Sequence, residues 1–297
     1  MKVYNFGSLN IDKVYQVSHH VQSGETISAK NYTEFLGGKG LNQSIALAKA
    51  GATVFHVATI GPDGKIFLST LRDAGVDTTL IKEVDTASGH AIIQVNDEGN
   101  NSIVIFGGAN QLLEKERIDE VFQQITRDDL ILLQNEISNI DYIIDRAYEA
   151  SIPVALNFSP VDDGLLALDL HKITYLFVNE IEAQLAAQAD TLDEVMTILI
   201  ERYPKMHVVM TLGEKGAVYG HAGSAEINQA ARVVPVVDTT GAGDTFTGYF
   251  LASIAQQATV AESLKMGCCA SGIAITRAGA SPSIPTLQEV KESIAHE

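Results

Sequence analysis

Residues 237–250 read VDTTGAGDTFTGYF. The stretch has the form of a phosphate loop: a strand end, then small residues, then a helix. The lysine usual in such loops is missing, and Asp244 stands where the helix begins. Small residues ahead of a helix let the backbone N–H groups of Gly241, Ala242 and Gly243 point into one concavity. The helix N-terminus adds partial positive charge there. An anion hole of this kind needs no lysine. Asp244 would then not hold phosphate; it would accept a proton from an attacking hydroxyl. The hole would hold the charge developing on a transferred phosphoryl group. A plainer reading makes Asp244 an N-cap and the glycines a tight turn. By itself the stretch leaves both open.

Two commoner phosphate motifs do not fit. GPDGKIF (61–67) has a Gly-Lys pair but lacks the first glycine at P-loop spacing and the following Ser or Thr. GAGDTF (241–246) is half of a dinucleotide fingerprint, and Asp244 would repel a pyrophosphate.

Outward from this loop, the chain alternates. GLNQSIALAKAGA (40–52) is a small-residue helix stopped by Gly51, and TVFHVATIG (53–61) is a strand. GKIFLSTLRDAGV (64–76) is a second helix ended by glycine. DLILLQNE, PVALNFSP, YLFVNE and HVVMTLG are short apolar runs with polar ends, and NIDYIIDRAYEAS and LDEVMTILIERY are helical stretches between them. Strand–helix alternation with continuous apolar strands predicts a parallel sheet covered on both faces. Ligands gather at the carboxyl ends of such strands. The polar residues expected there are Asn10, Glu136, Asn157, Asn179, Thr211 and Asp238. Two stretches break the pattern. KVYQVSHHVQSGETISAKNYTEF (13–35) has turn residues and no helical period, and HAIIQVNDEGNNSIVIFGG (90–108) signals a hairpin. Together they predict a small separate sheet of about four strands, inserted in the main domain.

The bulk numbers narrow the function. A chain of 297 residues, 46% hydrophobic, can bury a large core. Its net charge of −17 repels nucleic acid and anionic membrane surfaces. The two cysteines, Cys268 and Cys269, are neighbours, which argues against a disulfide framework and for a reducing cytoplasm. No stretch approaches the ~18 apolar residues of a membrane span, and MKVYNFGSLNID shows no signal-peptide core.

FLGGKGLNQSIALAKAGA (35–52) is a second glycine-rich approach to a helix. Asn42 in its first turn can present an amide to a hydroxyl-rich ligand. With both loops in view, the chain resembles the PfkB, or ribokinase-like, family of carbohydrate kinases. GGKGLNQSIALAKAGA is similar to the family's N-terminal signature and DTTGAGDTFTGYF to its more specific C-terminal one. GSLNID, GANQLL, LLQNE, FVNEIEA, TLGEKG and ITRAGASPSIP follow in the family's order.

The resemblance implies one α/β catalytic domain over residues 1–297. Its fold would be a ribokinase-like three-layer αβα sandwich with a mainly parallel central sheet. A β-sheet lid from about residues 11–36 and 88–107 would cover a sugar and clasp a homodimer. It implies an ATP-dependent kinase acting on the 5-hydroxyl of D-ribose, or else on another sugar or nucleoside such as deoxyribose, fructose or adenosine. A catalytically silent sugar binder on the same scaffold is the reading from another class. Asp244 would be the base, with the amides of Gly241, Ala242 and Gly243 as the anion hole. Asn10, Asp12, Gly38, Lys39, Gly40, Asn42 and Glu136 would meet the sugar. Asn179 and Glu182, resembling the family's NxxE element, would face hydrated Mg²⁺ and the nucleotide phosphates. Thr211, Leu212, Gly213, Glu214, Lys215 and Gly216 would form the nucleotide turn. Cys268 would lie near the adenine, where a histidine is usual. Asp238, Thr240, Ala274, Arg277, Gly279 and Ser283 match positions that bind an activating monovalent cation, K⁺. Read without the family, Asn179 and Glu182 are a helix cap and a solvated glutamate, and the last six an ordinary loop.

Overall fold

The computed structural model describes residues 1–296. The first half of the chain forms β1 (Lys2–Phe6), β2 (Asn10–Gln16), β3 (Asn31–Gly37), α1 (Lys39–Lys49), β4 (Thr53–Ile60), α2 (Lys65–Asp73), β5 (Ile81–Glu83), β6 (Gly89–Val95), β7 (Asn101–Phe106), α3 (Lys115–Phe122), β8 (Leu130–Gln134) and α4 (Ile140–Glu149). The second half forms β9 (Val154–Asn157), α5 (Asp163–Leu166), β10 (Tyr175–Asn179), α6 (Glu180–Ala187), α7 (Leu192–Arg202), β11 (His207–Thr211), β12 (Ala217–Gly220), β13 (Ile227–Gln229), α8 (Ala242–Ala255), α9 (Val260–Ala274) and α10 (Leu287–Ala295).

The apolar runs become the strands of one nine-stranded sheet, ordered β13-β12-β11-β10-β9-β8-β1-β4-β5. Pairing from β5 to β11 is parallel; β12 and β13 add antiparallel strands at one edge. Strands β8 and β9 are buried along their whole length, as helices on both faces require. Residues of α3, α4, α6 and α7, such as Ile118, Ile143, Ala183 and Leu199, share a core on one face. Residues of α1, α2, α8 and α9, such as Leu41, Phe67, Phe250 and Leu264, fill the other. The architecture is the expected three-layer α/β sandwich.

The two irregular stretches pair with each other, although far apart in sequence. They form a four-stranded sheet ordered β3-β2-β6-β7, with β2 and β6 parallel and the outer pairs antiparallel. Its edge strand β7 is exposed throughout, including Val104 at 65% and Ile105 at 70%.

Two expectations about strand ends need correction. Asn10 does not end a strand of the main sheet; β1 stops at Phe6 and Asn10 opens β2 of the small sheet. Asp238 ends no strand at all. The valine-rich run before it, RVVPVV (232–237), contains Pro235, which cannot donate to a ladder. It forms no strand, and Val233 is 99% exposed. Helix α8 therefore starts from a loop.

Helix α8 is buried from Asp244 to Ser253, which is why its sequence is apolar on every side. It packs closely on α1 because both helices carry small residues. A Cβ added to Gly248 would lie 2.4 Å from Ala46 Cβ and 2.9 Å from the Leu47 nitrogen. Gly248→Ala should therefore push the helices apart. Thermal unfolding should show a loss of about 1–3 kcal/mol, and an unchanged Tm would mean that the contact can relax.

Candidate active site

Gly241 caps α8 in the left-handed region, at φ 73°, with no side-chain cap. Asp244 follows as the third helical residue and is 7% exposed. The close approach of α1 gives its carboxylate two neutral donors. Asn42 Nδ2 donates to Oδ2 at 2.9 Å and Gln43 Nε2 to Oδ1 at 2.9 Å. Burial pushes the Asp244 carboxyl above its usual range, and the Lys39 charge and the two amides pull it back. Asn42 Oδ1 is buried without a protein partner.

The amides ahead of Asp244 are not equivalent. Ala242 N–H donates to the Thr239 carbonyl at 3.2 Å. Those of Gly241 and Gly243 have no protein acceptor among the described residues. The space beside Gly243 is open: no heavy atom lies within 4 Å of where a Cβ would stand. Lys39, Asn179, Glu182, Thr211, Gly241, Gly243 and Asp244 line one cavity.

The residues expected to meet a sugar converge where α1 starts. The Ser8 hydroxyl donates to the Glu136 carboxylate, which also accepts the Lys39 N–H at 3.0 Å. Helix α1 has Gly38 at its cap and no side-chain cap of its own, so Glu136 supplies one from after β8. Gly40 contributes packing rather than a free group. Its N–H donates to Ser8 Oγ at 3.3 Å and its carbonyl accepts Asn5 Nδ2 at 2.9 Å. A Cβ there would lie 2.3 Å from the Ser8 nitrogen. Asn10 Oδ1 accepts from Asn110 Nδ2 at 2.8 Å, which leaves the Asn10 amide to donate elsewhere. Asn110 is fixed in turn by the Leu9 N–H, at 3.0 Å. Burial, and then the negative charge of Glu136, push the Asp12 carboxyl up to about 6.

On the other side of the cavity, Asn179 and Glu182 form a capping box at the start of α6. Asn179 Oδ1 accepts the Glu182 N–H at 2.9 Å and Glu182 Oε2 accepts the Asn179 N–H at 2.8 Å. Beyond them lies a groove of roughly 610 Å³, continuous with the first cavity through Thr211, Thr239, Ala242 and Gly243. Gly213, Glu214, Lys215, Gly216 and Cys268 line it. Leu212 does not; it shapes the turn, donating its N–H to the Gly216 carbonyl at 2.8 Å. Burial pushes the Cys268 thiol up to about 12, so it is a protonated packing group.

Among the described residues, no three His, Cys, Asp or Glu side chains cluster as metal ligands. One carboxylate and one amide already engaged in a helix cap suit a hydrated Mg²⁺ held mainly by phosphates, not a protein cage. The residues expected to hold a monovalent cation flank α8 and α9: Asp238 and Thr240 precede α8, Ala274 ends α9, and Arg277, Gly279 and Ser283 follow it. Asp238 joins them, accepting from Thr240 N–H (2.9 Å), Thr240 Oγ1 (2.6 Å) and Gly279 N–H (2.8 Å). These hydrogen bonds hold the Asp238 carboxyl below its usual range, so a negative charge persists there. The Arg277 side chain is turned away to Glu289, so of this residue only the backbone faces the loop.

Sequence reasoning did not single out Ser8, Gln43, Asn110 or Gln134. Each sits inside a motif that was read for its neighbours. Gln134 carried the best signal, a polar residue ending the apolar run LILLQ and 0% exposed.

The model of the pfkB family of carbohydrate kinases matches residues 2–287. The chain belongs to this family. Among curated pfkB-family relatives, ribokinase of Haemophilus influenzae is 34% identical, with 98% of this chain and 97% of that protein covered. Deoxyribokinase of Salmonella typhi is 30% identical, with 99% of each covered. Of solved pfkB-type structures, Cryptococcus neoformans ribokinase in complex with ADP superposes with a TM-score of 0.88 at 33% identity, covering 98% of this chain and 99% of that one. Arabidopsis thaliana ribokinase complexed with ribose and ATP gives a TM-score of 0.86 at 29% identity, covering 99% and 98%.

The raised carboxyl of Asp12 couples the protein's stability to pH. The folded state binds this proton more tightly than the unfolded chain, so stability falls as pH rises from about 4 to about 6. Asp12→Asn should raise Tm at pH 7.5 by about 2 °C and leave it unchanged near pH 4. Equal shifts at both pH values would remove the electrostatic account.

Proposed function

We propose that the protein is an ATP-dependent kinase that phosphorylates the 5-hydroxyl of D-ribose, giving D-ribose 5-phosphate. The observation that carries this reading is the buried Asp244 carboxylate, held by two amides beside the open N-terminus of α8. A pure binding protein has no use for a buried proton acceptor next to unpartnered N–H groups. The curated ribokinases and the ribose and ATP complex of a relative support the sugar and the donor.

In this reading the sugar lies over the start of α1. Asp12 and Glu136 accept from its hydroxyls, the Asn10 amide donates, and Asn42 Oδ1 takes a further hydroxyl. Lys39 and Gly38 shape the same wall. Asn10 favours ribose over deoxyribose, because an extra hydroxyl needs an extra polar partner. ATP lies along the groove from Thr211 to Gly216 towards Cys268. Asp244 takes the proton of the attacking hydroxyl. The free amides of Gly241 and Gly243, with the α8 N-terminus, stabilise the charge on the moving phosphoryl group. Mg²⁺, faced by Asn179 and Glu182 through water, would neutralise phosphate charge when bound. K⁺ beside Asp238 would order the loop that begins α8, through carbonyls about Thr240, Ala274, Arg277, Gly279 and Ser283.

The whole chain serves as one catalytic domain, with the small sheet as its lid over the sugar. Closure of that lid would exclude water and limit ATP hydrolysis. Both cysteines are free, which suits a reducing cytoplasm.

A coupled assay with ATP and ribose, deoxyribose, fructose or adenosine, with and without K⁺, tests the reading. Ribose should turn over best, K⁺ should raise the rate, and Asp244→Asn should lower kcat by about 10²–10⁴-fold. A preference for deoxyribose would replace the sugar; full activity of Asp244→Asn would remove the mechanism.

The lid also supports a homodimer. Its edge strand exposes Ile103, Val104, Ile105 and Phe106, an unpaired apolar edge of the sort that joins another strand. Light scattering should give about twice the chain mass for the wild type and about half that value for Ile105→Lys.

A further inference from the structure

Behind Asp244 runs a chain of buried polar side chains that the phosphoryl transfer just described does not use. Gln43, whose amide reaches Asp244, offers its Oε1 to Gln134 Nε2 at 2.7 Å. Gln134 Nε2 also donates to Asn5 Oδ1 at 2.9 Å. Asn5 Nδ2 donates to Ser44 Oγ at 2.8 Å, and Ser44 Oγ lies 2.7 Å from His56 Nδ1. All five residues are 0% exposed, and they come from α1, β8, β1 and β4.

The chain has a direction. An ionised carboxylate can only accept, so Gln43 must turn its NH₂ to Asp244 and its carbonyl away. That carbonyl then needs a donor, and Gln134 supplies it. The cost appears at the next atom: Gln134 Oε1 is buried with no partner. An apolar side chain of the same shape would leave no such orphan. A core that keeps an unpaired polar atom in order to present one NH₂ to one carboxylate is arranged for that carboxylate.

We propose that Gln43, locked in orientation by Gln134, is a positioning residue that fixes the Asp244 rotamer and holds its carboxylate ionised for proton acceptance. This rests on the reading of Asp244 as the base. Few charges compete for that task. Lys39 on α1 is the cation acting on Asp244, Glu182 at the start of α6 lines the same cavity, and Asp12 on β2 and Glu136 after β8 lie across the start of α1. Helix α9, packed on α8, presents the protonated Cys268 to the neighbouring groove. Strands β1 and β8 offer only the neutral Asn5 and Gln134. From β4 comes His56, which burial pushes down to about 4 and keeps neutral at the far end of the chain.

Gln134→Met tests this without touching Asp244. It keeps the volume and removes the donor that pins Gln43. The acidic limb of kcat/KM should move up by about one pH unit, because a carboxylate with a looser donor protonates more readily. At neutral pH kcat should fall by about 10–100-fold, the range of a hydrogen bond to a charged group, while the KM for ribose holds. If Gln134→Met does not fold, Ser44→Ala, a small change inside a helix, should move the limb in the same direction by less. A limb that stays in place in the folded variant, with kcat lowered only in step with stability, overturns the proposal. Loss of activity in Asp244→Asn beside an unmoved limb would sink this inference alone; full activity in Asp244→Asn would sink the reading beneath it.

Discussion

Two helix N-termini meet at one carboxylate, and the site depends on how close they come. Helix α8 brings Asp244 and its amides; α1 brings the donors that hold it. The spacing is set by side chains that are nearly absent, at Gly248 and Ala46. Larger residues there would separate the helices, and the 2.9 Å contacts of Asn42 and Gln43 to Asp244 would lengthen first. A packing constraint in the core thus becomes an electrostatic constraint in the site.

The same economy appears at the start of α1. Gly40 lies against Gly7 and Ser8, so the helix begins directly under the β1–β2 turn. Glu136 then reaches its first N–H. A carboxylate that caps a helix cannot wander, and the neighbouring Asp12 feels its charge. Two acids held close without a cation between them are poised to accept hydroxyl donors from a neutral, polyhydroxylated ligand. At the start of α8 the polarity is reversed: unpartnered main-chain N–H groups of Gly241 and Gly243 face the same cavity as Lys39, a local positive field in a chain whose net charge is −17.

Much of the fold was legible in the sequence because its signals are local. Continuous apolar runs read as buried strands, glycines closed the helices, and NDEGNN marked a hairpin. Asp238 misled for an equally local reason: VD ahead of the small residues has the look of a strand end, while Pro235 denies the run before it a place in a ladder. Asn10 misled because the chain changes sheets within three residues after β1, and nothing in GSLN announces the change. Asn179 and Glu182 show how one pattern carries two meanings. Their spacing is that of a capping box, the box forms, and it also lines the cavity.

By itself the sequence determined where most of the main strands and the helices between them would lie, that the sheet would be mainly parallel and covered on both faces, and that Asp244 would follow a loop of small residues. These follow from periodicity and from the steric freedom of glycine, which act over a few neighbouring residues. Only the tertiary structure decided which amide faces which oxygen. Gln134 is 91 residues from Gln43 and 129 from Asn5, and no local rule joins them. It also decided that Ala242 spends its N–H on Thr239 while Gly243 keeps its own free. Hydrogen bonds of that kind depend on distances of a few tenths of an ångström between separate elements, and those distances are set by how the whole core packs.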